Sequence, residues 1–319
     1  MDNAELAYLL GMITGKGTIV CDKDYTSIYI EIPYKNLFIE GMDVQLSVKA
    51  SLEDIRNILE PLIGVRITST PMISKTILRF VKSNDDFLIR EINQHFNRLS
   101  TCKDFRIPQG IIDSPLDIKR EFMIGLADVT AHIRRSNAAF GLGYGHRVYI
   151  EIPANWLLVV DIANLLLDLD IPIHTIDWGH PNMRDPNLED YKKGKHNVWF
   201  REHQVKIFAD EFEGVGFRMA HKSNTLREFA DFNRDSWDQD RQNKLRIAKS
   251  ETQKRKFEKQ IGHLEIVHHK FYWETREPNR PKPHHPMEGS EKIPSEIRGR
   301  HFDSWKEICK ALGYAGGII

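Results

Sequence analysis

Apolar residues recur along this 319-residue chain in two periods, one helical and one of strands. Leu6, Leu9, Leu10 and Ile13 lie three and four apart, which predicts a first helix, capped by Asp2-Asn3-Ala4-Glu5. Phe122, Gly125 and Leu126 predict a second helix, opened by Ser114-Pro115-Leu116-Asp117: a capping Ser, a Pro at the first helical position and an acid three residues on. Gly11 and Gly15 share one face of the first helix, and Gly17 ends it. Small residues let helix backbones approach, so Gly11, Gly15 and Gly125 are the predicted interface of the two helices.

Alternating stretches follow each helix. Val44-Gln45-Leu46-Ser47-Val48-Lys49 reads as a strand ending in a helix cap at Ser51, and Val148-Tyr149-Ile150-Glu151-Ile152 reads the same way 104 residues later. Each alternation fits a sheet with one buried face. Helices are predicted through Leu52, Ile55 and Leu59, and through Val159, Ile162 and Leu166. Further strands are predicted near Val65–Thr68 and Lys75–Phe80, and near Ile173–Ile176 and His196–Phe200, with a closing helix after each pair. Each half then reads α-β-β-α-β-β-α. The literal repeat Tyr29-Ile30-Glu31-Ile32-Pro33 and Tyr149-Ile150-Glu151-Ile152-Pro153 is spaced by 120, whereas Gly11 and Gly125 are spaced by 114. On spacing, the repeat is set aside, and extra residues are assigned to the first hairpin of the first half.

Composition narrows the class. Hydrophobic residues are 41% and charged residues 28%, an ordinary globular mix without a long apolar run. The first residues lack the basic start of a signal peptide, and Cys21, Cys102 and Cys309 are odd in number and far apart. The expectation is an intracellular, cytoplasmic protein with reduced thiols and no membrane partner. Net charge is zero, which speaks mildly against nucleic acid. The average hides an asymmetry: from Arg246 onward 15 Lys/Arg face 10 Asp/Glu, leaving 30 against 35 in the rest. A basic tail on a slightly acidic body fits a nucleic-acid arm and also an ordinary solvated tail.

Two stretches carry a resemblance. Leu9-Leu10-Gly11-Met12-Ile13-Thr14-Gly15-Lys16-Gly17 and Met123-Ile124-Gly125-Leu126-Ala127-Asp128-Val129-Thr130-Ala131 both resemble the LAGLIDADG motif of homing endonucleases. Two copies in one chain match the family's single-chain form. Arg106-Ile107-Pro108 with Lys119-Arg120-Glu121-Phe122 is similar to its lead-in to the second motif, and Val215-Gly216-Phe217 with Lys222 and Leu226 to its closing segment. The resemblance covers Ala4 to Asp231. It implies an α+β fold of two pseudo-symmetric αββαββα halves, residues 1–104 and 105–240. It also implies that the paired sheets form a saddle on duplex DNA. Residues 241–319 would be a basic, His-rich C-terminal extension, for which an arm on DNA or RNA is favoured over a zinc site, and a packing or partner-binding segment stays open.

Family members hold divalent metal between two acids, one from each motif. Those positions are Lys16 and Thr130 here. A Lys repels such a metal and a Thr is a weak neutral ligand. Asp128 occupies the motif's other acid position, mainly structural in the family, and Lys222 matches a lysine that assists cleavage. Asp128 and Lys222 are therefore remnants, Lys222 is read as a phosphate contact, and no catalytic residue is assigned. The residues expected to face DNA are Gln45, Ser47, Lys49, Lys75, Arg79, His132, Arg134, Arg147, Tyr149 and Glu151. Gln can read adenine, Arg guanine, and Glu can accept from cytosine. The expected function is sequence-specific double-stranded DNA binding by a monomer that has lost metal-dependent cleavage, with no cofactor. Two alternatives stay open. One is an active endonuclease using Mg²⁺ on other acids, such as Asp128 with Asp22 or Asp24; the other is an intron maturase holding structured RNA.

Overall fold

The computed structural model describes residues 4–37, 43–135, 145–153, 155–173, 175–180, 202–247 and 272–274. The expected cap at Asp2 and Asn3, the strand at His196–Phe200, and Cys309 lie outside them.

Helix α1 (Ala4–Lys16) runs directly into β1 (Gly17–Cys21) and β2 (Tyr25–Pro33). A short 3-10 turn (Tyr34–Asn36) precedes α2 (Val44–Ile63), β3 (Thr68–Pro71), β4 (Lys75–Ser83) and α3 (Phe87–His95). Next come α4 (Gln109–Ile112), α5 (Leu116–Thr130), β5 (Ala131–Arg134), β6 (Arg147–Pro153) and α6 (Trp156–Asp168). The chain closes with β7 (Thr175–His180), β8 (Glu202–Phe208), α7 (Ala209–Phe212), α8 (Ala220–Ile247) and β9 (Tyr272–Glu274). The class is α+β, as the sequence periods predict. Among the described residues no helix is long and apolar enough to cross a membrane.

The chain forms two compact units. One comprises Met1–His132, Leu157–Leu169 and Gly214–Thr225; the other comprises Ile133–Trp156, Asp170–Glu213 and Leu226–Ile319. The first holds an antiparallel sheet of order β1-β2-β4-β3. Alternation sends Ile28, Ile30 and Ile32 of β2 and Thr76, Leu78 and Phe80 of β4 to the buried face. The second sheet has the order β5-β6-β8-β7-β9, with Val148, Ile150, Ile152, Val205 and Ile207 buried. Its first four strands repeat the order of the first sheet. The fifth, β9, comes from the extension and pairs parallel with β7. In this unit Asn233 of α8 accepts from His146 N (2.6 Å) and donates to His146 O (3.0 Å), fixing the chain just before β6.

One predicted strand is a helix. Val44–Lys49 is the start of α2, because Asp43 accepts hydrogen bonds from the amides of Gln45 (2.9 Å) and Leu46 (3.1 Å) and so caps it. The buried positions are Ser47, Ser51, Leu52, Ile55, Leu59 and Ile63, a helical period in which two serines stand where apolar residues were sought. Gly64, at φ 70°, ends the helix in the left-handed conformation that glycine adopts at least cost. The strand that pairs with β4 is instead Tyr25–Pro33, which contains the pentapeptide set aside on spacing. Its twin lies in β6, at the same place in the strand order. From motif end to strand, Tyr29 lies 12 positions after Gly17, and Tyr149 lies 18 positions after Ala131. The extra residues therefore sit in the second half's hairpin, not in the first.

Candidate nucleic-acid interface and the ends of the motif helices

The two motif stretches form helices α1 and α5, and these pack against each other as predicted. A Cβ added at Gly11 would fall on the carbonyl of Phe122, and one at Gly125 on the carbonyl of Tyr8. Only glycine permits backbones this close. Gly15 faces side chains instead: its Cβ would meet Thr130 Cγ2 at 2.7 Å and Val129 Cγ2 at 3.2 Å. Ser114 does not cap α5. Its hydroxyl turns back to Gly110 O (2.5 Å), and Pro115 stands at the cap position without a side-chain bond.

The helix ends decide the chemistry. Thr130 is fully buried and donates its hydroxyl to Leu126 O (2.7 Å), one turn back in its own helix. Lys16 ends α1, half-buried. A cation and a hydroxyl already donating its proton do not make an oxygen-rich donor set, so these two positions do not fit a divalent metal. Asp128 is buried. It accepts from Tyr8 Oη (2.7 Å) and from the amide of Arg218 (3.3 Å). Burial raises its carboxyl to about 6 against the pull of Lys222, and burial and Asp128 together push the Tyr8 hydroxyl well up.

Lys222 is buried too. Its amine donates to Asp128 O (2.7 Å) and Ala131 O (2.8 Å) and lies 3.4 Å from Ala127 O, which satisfies the last carbonyls of α5 with a cation at the negative end of the helix. Burial lowers it to about 8, opposed by the negative charge of Asp128. The lysine expected to contact phosphate is a helix cap. Asn36, just after β2, donates to Val129 O (2.7 Å) and completes this end. Asp22 and Asp24 lie in the β1–β2 turn, at the far end of β1 from Lys16, roughly 16 Å away at ~3.3 Å per strand residue. They do not join Asp128. Among the described residues no three His, Cys, Asp or Glu gather as a metal-ligand group.

The open faces of the sheets are the second candidate. In the first sheet Tyr29 pairs with Arg79 across β2 and β4, and the guanidinium lies 5.5 Å from the ring centre. Arg79 also reaches Ser27 Oγ (3.4 Å), and Lys75 forms an ion pair with Glu31. In the second sheet Tyr149 pairs with Lys206, whose amine lies 5.8 Å from the ring, while Arg134 approaches the same ring at 5.7 Å. Arg147 stacks on Phe208 at 5.0 Å, and Glu151 accepts from Gln204 (2.9 Å).

Lys75 and Arg79 thus stand together on one face of the first sheet, and Arg134, Arg147, Tyr149 and Glu151 on the second sheet. Glu151 and His132 are buried. Gln45, Ser47 and Lys49 are not on a sheet at all; they belong to α2, with Ser47 fully buried. Tyr29, Gln204 and Lys206 were missed. The repeated Tyr-Ile-Glu-Ile-Pro was the signal for Tyr29. Gln204 and Lys206 carried no motif.

No protein-family model matches the sequence, and a search of curated proteins gives no match. Solved structures do. A variant of the homing endonuclease I-DmoI in complex with its target DNA is 16% identical, covering 69% of this chain and 96% of its own at a TM-score of 0.37. The LAGLIDADG meganuclease I-AabMI bound to uncleaved DNA is 12% identical, covering 73% and 92% at 0.37. The LAGLIDADG homing endonuclease I-GzeII in complex with its DNA target is 8% identical, covering 81% and 97% at 0.38.

Proposed function

We propose that this chain binds double-stranded DNA through the open faces of its two sheets and does not cleave through its motif positions. The observation that carries the reading is the repeated cross-strand pair of a tyrosine and a cation, Tyr29 with Arg79 and Tyr149 with Lys206 and Arg134. Cations held on a pleated face can meet phosphates and displace counterions, and Arg can read guanine in the major groove. The motif helices support the same reading from the other side. Lys16 and Thr130 replace the two acids, and Asp128 and Lys222 are spent on internal hydrogen bonds. On this reading residues 1–104 and 105–240 each carry one sheet that meets DNA, and the protein works as a monomer.

The contact set under this proposal is Lys75, Arg79, Arg134, Arg147, Tyr149 and Lys206. Selection from a random duplex library at low salt tests it, with structured RNA as competitor. Enrichment of one sequence class that RNA does not displace is the expected result. Displacement by RNA at equal concentration would replace DNA with RNA as the ligand, and no enrichment would end the reading.

A further inference from the structure

Gln45 and Lys49, removed from the sheet by the structure, line a cleft of about 630 Å³ in the first unit. Its helical wall is one face of α2: Gln45, Val48, Lys49, Leu52 and Arg56, spaced by three, one, three and four. The opposite wall is the β3–β4 hairpin, with Ser69, Pro71, Ile73 and Thr76. Ser69 and Pro71 pair with Leu78 and Thr76, so this wall is the side of the sheet opposite Arg79. Tyr34 closes the rim by donating to Met72 O (2.8 Å).

Two features point to a ligand. The cleft is apolar in its walls yet carries two cations, Lys49 and Arg56, two turns apart on α2. Arg56 bonds Ser69 Oγ through one terminal nitrogen (2.7 Å), while its Nε is buried with no hydrogen-bond partner. A buried donor without an acceptor is costly, and an anion would satisfy it. Ile73, at the hairpin tip, is fully exposed beside the cleft, an apolar surface that a hydrocarbon body would cover. The volume falls within the roughly 300–1,000 Å³ common for small-molecule clefts.

We propose that this cleft is a binding site for an amphiphilic organic monoanion, with its acid group at Lys49 and Arg56 and its apolar body between Val48, Leu52 and Ile73. The inference does not depend on DNA binding. Anilinonaphthalene sulfonate titrated into the full-length protein should report one saturable site by fluorescence. Octanoate should displace it about tenfold more strongly than octan-1-ol, because only the acid engages the cations. Lys49→Gln should shrink that preference to about threefold or less, with circular dichroism and melting temperature unchanged. Val48→Trp, which fills the cleft, should abolish binding of both. Absence of a saturable site, equal displacement by octanoate and octan-1-ol, or unchanged displacement in both variants would overturn the proposal.

Discussion

The ends of α1 and α5 carry the same motif in two environments. At the end of α1, Thr14 donates its hydroxyl to Leu10 O (2.8 Å) and asks nothing of the rest of the molecule. At the matching position of α5, Asp128 binds Tyr8 from α1 and the amide of Arg218 just before α8, while Lys222 from α8 closes the helix beneath it. At Thr14, α1 is satisfied within its own helix. The matching position of α5 is a buried junction of three helices. The contrast explains why an acid stands at one of these positions and not at the other. Asp128 is held by what it fastens.

The steepest test of this junction is the glycine contact itself. Gly11→Ala or Gly125→Ala would drive a methyl into a backbone carbonyl, and the helices must separate. Each should cost at least about 3 kcal/mol in urea unfolding, whereas Gly15→Ala, which meets the side chains of Thr130 and Val129 and no backbone, should cost about 1–2 kcal/mol. Equal costs at all three positions would mean that backbone contact does not set the helix spacing.

Lys222→Met comes next. It strands α5 carbonyls and leaves Asp128 buried without its cation, and should cost about 3–5 kcal/mol. Thr14→Ala at the other motif end should cost about 1 kcal/mol or less. The same junction gives a pH signature. The folded carboxyl of Asp128 sits at about 6, above its unfolded value, so the folded state binds the extra proton between about pH 4 and 6. Its contribution to stability is present below pH 4 and is lost as pH rises through 6. Asp128→Asn should flatten that segment of the stability–pH curve, and an unchanged curve would remove Asp128 as its source.

Smaller effects separate the open faces from α2. Arg134→Ala and Arg147→Ala should each weaken duplex binding by about 1–3 kcal/mol and relax preference at one base pair if they read bases. Lys75→Ala should cost less, because Lys75 already spends its charge on Glu31. Lys49→Ala should leave DNA affinity within about 0.3 kcal/mol of the parent, since Lys49 lies on α2. A large loss there would return α2 to the interface.

Much of this was legible in residues whose role is set by neighbours a few positions away. Gly11, Gly125 and the motif helices announced themselves by period and by motif. Lys75, Arg79, Arg134 and Arg147 followed from alternation within short strands. What failed depended on partners far along the chain. Val44–Lys49 alternates like a strand, and only the Asp43 cap and the buried serines make it a helix. The Tyr29 pentapeptide was set aside on spacing because the longer hairpin was assigned to the wrong half. Lys222 looked like a surface lysine because its acceptors, the carbonyls of Asp128 and Ala131, lie more than 90 residues earlier.

Binding and the absence of motif-driven cleavage can be read in one experiment. A duplex enriched from a random library without divalent metal is incubated with the full-length protein in Mg²⁺, and both strands are run on a denaturing gel. The expected result is a bound duplex whose strands stay intact, with binding that weakens steeply as salt rises. Site-specific nicking of either strand by the unmodified protein, or failure to enrich any duplex, would contradict it.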